Sequence, residues 1–114
     1  MGVRSHGFGI TKLGAVALGA LLLAATPAAA ASHDYKVIID KMKFGALPAG
    51  LHVGDSITWV NRDFIRHTAT ATDHSFDADL PPGAKATVTL RKAGAIGFSC
   101  RYHPGMRGIL QVKR

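Results

Sequence analysis

Ser56-Ile57-Thr58-Trp59-Val60-Asn61 alternates: Ile57 and Trp59 fall on one side of an extended chain, Thr58 and Val60 on the other. A period of two over this length predicts a strand with one buried face. Working outward, the pattern recurs. Thr68 to Thr72 (TATAT) alternates small apolar with polar residues, and Ala86 to Leu90 (ATVTL) points Ala86, Val88 and Leu90 inward. Ile96, Phe98 and Cys100 share one parity, and Gly108 to Lys113 (GILQVK) offers Leu110 and Val112 to a core. Upstream, Tyr35 to Ile39 (YKVII) is rich in the β-branched and aromatic residues that strands favour. Turn signals separate these runs: Pro48 and Gly50, Val53-Gly54-Asp55, and Pro81-Pro82-Gly83. The stretch from Asp73 to Lys85, with three Asp and two Pro, reads as a loop. No segment after residue 33 keeps a helical period. About seven short strands at regular spacing predict an all-β sandwich or barrel. Trp59, Phe76 and Phe98 are expected in its core, with Met42 and Phe44 beside them.

The chain has 114 residues, enough for one domain. Its first third differs from the rest. Arg4 and Lys12 precede Leu13 to Ala25, an uncharged run of 13 residues; Thr26-Pro27 and then Ala28 to Ala31 come next. Basic, apolar and small-residue regions in that order predict a secretory signal peptide over residues 1–31, cleaved after Ala30 or Ala31. A membrane span needs about 20 apolar residues, and Pro27 lies where the run would have to continue. No adjacent arginine pair marks the twin-arginine route. The folded domain then covers residues 32–114, and the expected location is the periplasm.

That domain carries 12 Lys and Arg against 7 Asp, a formal charge of +5. The charges are dispersed, with no basic run or interleaved aromatic ladder, so nucleic acid is not the expected partner. A solvated basic face suits an acidic protein partner better. Cys100 is the only cysteine, so no intramolecular disulfide forms. A lone thiol in an oxidising compartment needs protection by burial or by a metal.

Cys100-Arg101-Tyr102-His103-Pro104-Gly105-Met106 sets a thiolate, an imidazole and a thioether within seven residues, between two expected strands. Structural zinc sites use four Cys or His and seldom Met. Haem attachment needs Cys-x-x-Cys-His. A soft thiolate, imidazole and a weak thioether suit copper, and two His with Cys and a long axial Met describe a blue-copper electron-transfer site. The second imidazole must come from His33, His52, His67 or His74. His67 is favoured, because it opens a strand and a rigid strand end can present a ligand to a loop at the same pole.

The stretches TWVNRDFIRHTATATDHSFD, PPGAKATVTL and GFSCRYHPGM resemble the cupredoxins, in the branch of amicyanin and plastocyanin. The short spacing Cys-x2-His-x2-Met with Pro104 after the His is that of amicyanin; plastocyanin and pseudoazurin space the His and Met more widely. The resemblance covers nearly all of the expected mature chain. It implies a Greek-key sandwich and one copper ion held by His67, Cys100, His103 and Met106. Arg66 stands where members often have Pro, Thr68 stands where they often have Asn, and the mature chain is shorter than amicyanin. Thr68 is still expected to direct its backbone N–H to the Cys100 sulfur and to tie the two ligand loops together with its hydroxyl.

This ligand set implies a periplasmic carrier of single electrons, not an enzyme, because four protein ligands leave no open position. Multicopper oxidases place His residues beside the equivalent Cys; here the neighbours are Ser99 and Arg101. The ring edge of His103 is the expected electron port, with Arg66, Arg101 and Arg107 as a basic rim. The expected partners are redox proteins, a dehydrogenase or a c-type cytochrome, and a monomer suits rapid exchange between them. Two rival readings stand beside it: a copper chaperone or buffer using the same ligands, and a binding module whose metal is incidental.

Overall fold

The alternating segments pair into nine strands in the computed structural model, which describes residues 31–114 together with residues 2, 3, 7, 9, 14 and 19. The expected signal peptide falls almost wholly outside the described residues. The strands are β1 (Asp34–Asp40), β2 (Lys43–Phe44), β3 (Leu51–His52), β4 (Ser56–Asn61), β5 (His67–Ala71), β6 (Asp77–Leu80), β7 (Lys85–Thr89), β8 (Gly94–Ser99) and β9 (Arg107–Lys113). One sheet has the order β2-β1-β4-β7 and the other β3-β9-β8-β5-β6. The all-β sandwich is as expected, with nine strands where the sequence suggested about seven. β6 lies inside the stretch read as a loop: Ala78 and Leu80 are buried while Asp77 and Asp79 face out.

The inner faces are those the alternation indicates. Ile57 and Trp59 of β4 are fully buried, as are Val37 and Ile39 of β1, Phe98 of β8 and Leu110 of β9. Trp59 stacks on Phe76 with centroids 6.0 Å apart and meets Phe98 at 5.1 Å, while Phe44 packs edge-on against both Trp59 and Phe98. The indole Nε1–H is buried without a hydrogen-bond acceptor. That omission costs free energy, and the packing of four aromatic rings, three of them buried, offsets it. Met42, expected in the core, is instead exposed. It shares with Lys41 a two-residue hairpin turn between β1 and β2, both residues at positive φ (52° and 64°), which sets its side chain outside the sandwich.

Gly108 of β9 pairs with Phe98 across the ladder. A Cβ there would lie 2.7 Å from Phe98 Cζ and 3.1 Å from Leu47 Cδ1. Gly108→Ala is therefore expected to destabilise the domain by about 1–3 kcal/mol through overpacking. At roughly 4–8 °C per kcal/mol, thermal melting followed by circular dichroism measures it; an unchanged midpoint would show that the ring has room to move.

Strand direction defines two poles. β1 and β4 run parallel, from Asp34 beside Ser56 to Ile39 beside Asn61. Their ends meet the start of β5 and the end of β8. Their beginnings are closed by Asp55, whose buried carboxylate accepts the backbone N–H of His33 at 2.9 Å and of His52 at 2.8 Å. These two N–H groups, His33 first, hold Asp55 below the usual carboxylate range against the opposing effect of burial. A depressed carboxylate stabilises the fold above its unfolded pKa. That contribution is complete above about pH 4 and disappears as pH falls through the lower folded value. Asp55→Ala is expected to melt lower at neutral pH and to lose the corresponding part of the acid-unfolding slope. Parallel acid titrations of both proteins would refute this if their slopes coincided.

Candidate metal centre

His67 is the first residue of β5 and Cys100 directly follows β8, so antiparallel neighbours deliver both to one pole. Their side chains converge. Cys100 Sγ lies 3.7 Å from His67 Nδ1, and the two residues are 1 % and 0 % exposed. The loop from Cys100 to Met106 closes on itself through backbone bonds. Cys100 N–H donates to the Met106 carbonyl at 2.9 Å, and Met106 N–H to the His103 carbonyl at 2.8 Å. These turns bury Met106 and leave His103 half-buried, with its ring centroid 5.2 Å from that of His67. His33, His52 and His74 lie at the opposite pole: the first two flank Asp55, and His74 occupies the turn beyond the far end of β5. Among the described residues no three His, Cys, Asp or Glu side chains form a closed metal-ready group. Cys100 and His67 meet through their donor atoms, the His103 ring lies beside that of His67, and the thioether of Met106 is buried at the end of the same loop.

The donor spacing can be tested against a metal. A first-row ion binds imidazole nitrogen at about 2.0–2.1 Å and thiolate at about 2.3 Å, so angles of roughly 105–125° set the two donors about 3.5–3.9 Å apart. The observed 3.7 Å fits one ion shared by Cys100 and His67.

Surrounding groups fix both donors. Thr68 N–H points to the Cys100 sulfur at 3.4 Å, and Arg101 N–H donates to the Thr68 hydroxyl oxygen at 2.8 Å. Thr68 thus ties the two loops, as expected in place of Asn. On the other side of the His67 ring, Nε2 lies 2.7 Å from Asp63 Oδ2. With Nε2–H donating to that carboxylate, Nδ1 is left unprotonated toward the sulfur. Asp63 also accepts Lys41 N–H at 2.8 Å and Met42 N–H at 3.0 Å. The Met42 bond, followed by those from His67 and Lys41, keeps this carboxylate below its usual range although burial opposes it. Asn61 completes the brace, donating to the carbonyls of Ile65 and Leu80 and accepting Asp63 N–H.

The sequence reading gave Asp63 no role, and Asn61 none beyond its place at the end of the strand and in the stretch that carries the resemblance. Their signal was the spacing to His67: position i−4 for an acid that reaches back to the ring, and a buried terminal parity on β4 for the Asn. Two of the three cations expected on the rim are already paired, Arg66 with Asp79 and Arg101 with Asp77. Both pairs are half exposed and worth little. Apolar side chains instead stand out nearby: Phe64 is 98 % exposed, and Ile65 and Tyr102 are also exposed.

A family model described as the cupredoxin-like domain matches residues 13–112. The chain belongs to the cupredoxin family. Amicyanin of Paracoccus denitrificans is 30 % identical to it over 115 residues, spanning 93 % of this chain and 86 % of that protein. Among solved structures, a methionine-to-alanine variant of amicyanin in its Cu(I) form is similar with a TM-score of 0.60 at 28 % identity, covering 73 % of this chain and 85 % of the other. An oxidised proline-to-alanine variant of amicyanin gives 0.59 at 28 % identity, covering 70 % and 82 %. This cupredoxin therefore shares its sheet arrangement with amicyanin.

Proposed function

We propose that this cupredoxin is exported, loses a signal peptide ending at Ala30 or Ala31, and serves in the periplasm as a blue-copper electron carrier. His67, Cys100, His103 and Met106 are the proposed ligands of one copper ion. The observation that carries the reading is the 3.7 Å approach of the Cys100 sulfur to His67 Nδ1 beneath the Thr68 N–H. Bound copper supplies a one-electron couple between Cu(I) and Cu(II). The chain supplies rigidity: Thr68 holds the sulfur, Asp63 holds the His67 ring, and Pro104 restricts the ligand loop. Met106 brings a soft donor from a buried position, and His103 sets its ring at the boundary with solvent.

The proposed partners are redox proteins, a dehydrogenase or a c-type cytochrome. Because Arg66 and Arg101 are ion-paired, attraction to an acidic partner rests on the overall charge of the domain. The exposed Phe64, Ile65 and Tyr102 supply apolar contact area beside the His103 edge.

Adding Cu(II) to the purified mature protein tests this. An intense visible absorption, a reversible one-electron potential and retention of the ion against a mild chelator are expected. A weakly coloured complex that surrenders its copper quickly would replace electron transfer by copper handling.

A further inference from the structure

The opposite pole holds a second arrangement of metal donors. Ala31, Ser32 and His33 are exposed and precede β1, and the His33 side chain is 69 % exposed. Cleavage after Ala30 would make Ala31 the first residue and give its nitrogen the character of a primary amine. The mature chain would then open on Ala31-Ser32-His33, with the amine of Ala31 free. That α-amine, the amide nitrogens of Ser32 and His33, and the His33 Nδ1 can surround one ion in three fused chelate rings of five, five and six members. Neither Ser32 nor His33 is proline, so both amides can give up a proton. Four nitrogens in a plane select Cu(II) or Ni(II).

The fold already converges two of these donors. The His33 amide nitrogen and its Nδ1 both face Asp55 Oδ1, at 2.9 and 3.8 Å. A single carboxylate oxygen thus marks the side on which both nitrogens meet and provides negative charge there. A cavity of about 230 Å³, lined by Ala31, Ser32, His33, His52 and Asp55 among others, opens at the same place. The His33 carbonyl is pinned by Ser56 N–H at 2.9 Å, so the next peptide stays in the sandwich while the preceding residues turn. Binding replaces the His33 N–H···Asp55 bond, and Asp55 keeps the His52 N–H.

We infer that processing after Ala30 creates a second copper site at the new N-terminus, made of the Ala31 amine, two backbone amides and the His33 imidazole. It takes one Cu(II), releasing the two amide protons and the proton that the α-amine carries near neutral pH, and no electron is transferred. It lies roughly 20 Å from the Cys100 centre, the length of the seven-residue β1. Amidate nitrogens favour Cu(II) over Cu(I), so this site holds copper rather than cycling it. The inference rests on the proposed export and cleavage.

The mature protein recovered from the periplasm is weighed intact, loaded with one equivalent of copper, and titrated with a second equivalent of Cu(II). The expected mass begins at Ala31. The second equivalent is expected to bind with a paramagnetic resonance spectrum showing coupling to four nitrogens, leaving the visible absorption of the first site unchanged. His33→Ala, and separately acetylation of the α-amine, should each abolish the second equivalent and leave the first. A chain starting at Ala31 that binds one equivalent only would overturn the site, as would a second equivalent that survives either change. A mass beginning at Ser32 would overturn the site and leave export standing. An uncleaved chain in the periplasm would overturn the cleavage reading, and the site with it, and leave export standing.

Discussion

Cys100→Ser is expected to abolish the visible absorption that Cu(II) produces at the first site while leaving the sandwich folded. The two side chains differ by one atom, and position 100 is buried at the end of β8, within reach of the Thr68 N–H. A serine oxygen can accept that N–H, so no donor is orphaned and the structural cost is small. The chemical cost is large. The colour of a blue-copper centre arises from charge transfer out of a thiolate sulfur, and a neutral hydroxyl offers neither the charge nor the polarisable electrons. Titration with Cu(II), followed in the visible region beside a thermal melt of the metal-free protein, measures both effects. A variant that stays blue would remove Cys100 from the ligand set; one that fails to fold would show that the thiol is needed for packing.

The sequence made the strand faces legible because burial on a pleated chain has a period of two: Ile57, Trp59, Ile96, Phe98 and Leu110 are inside as their parity required. Cys100, His103 and Met106 stood out because a thiolate, an imidazole and a thioether within seven residues have no common structural reason to coincide. β6 was hidden by its Asp77 and Asp79, which are outward-facing strand residues that compositionally resemble a loop. Met42 was misplaced because its exposure depends on a left-handed turn, and that turn has no glycine to announce it. The carboxylate that anchors this turn, Asp63, lies more than 20 residues away. Its several roles depend on β1 and β4 ending side by side, which no local pattern contains. The pairing of Arg66 and Arg101 was hidden for the same reason: their partners Asp79 and Asp77 belong to the strand that was not seen.

Asp63→Ala is expected to weaken copper binding, raise the reduction potential and lower stability together, because one carboxylate serves the ligand and the scaffold. Its Oδ2 accepts from His67 Nε2 and from Met42 N–H, and its Oδ1 from Lys41 N–H. The turn amides are exposed and can turn to water. The His67 side chain is fully buried, and an unsatisfied buried donor costs about 1–3 kcal/mol. Loss of an outer partner to a ligating histidine typically weakens metal binding by about 10–100-fold. A carboxylate on Nε2–H enriches the ring in electron density and favours Cu(II) over Cu(I), so its removal shifts the potential upward. Asp63→Asn separates the contributions. Turned so that its amide nitrogen faces Lys41, asparagine still offers an oxygen to Met42 and His67, and the clash of two donors is confined to the turn. It should retain much of the copper affinity, show a smaller rise in potential, and lose stability mainly through the hairpin. Competition against a chelator, voltammetry and melting of all three proteins decide the matter. Equal potentials across the series would mean that the carboxylate holds the turn and leaves the His67 ring electronically untouched.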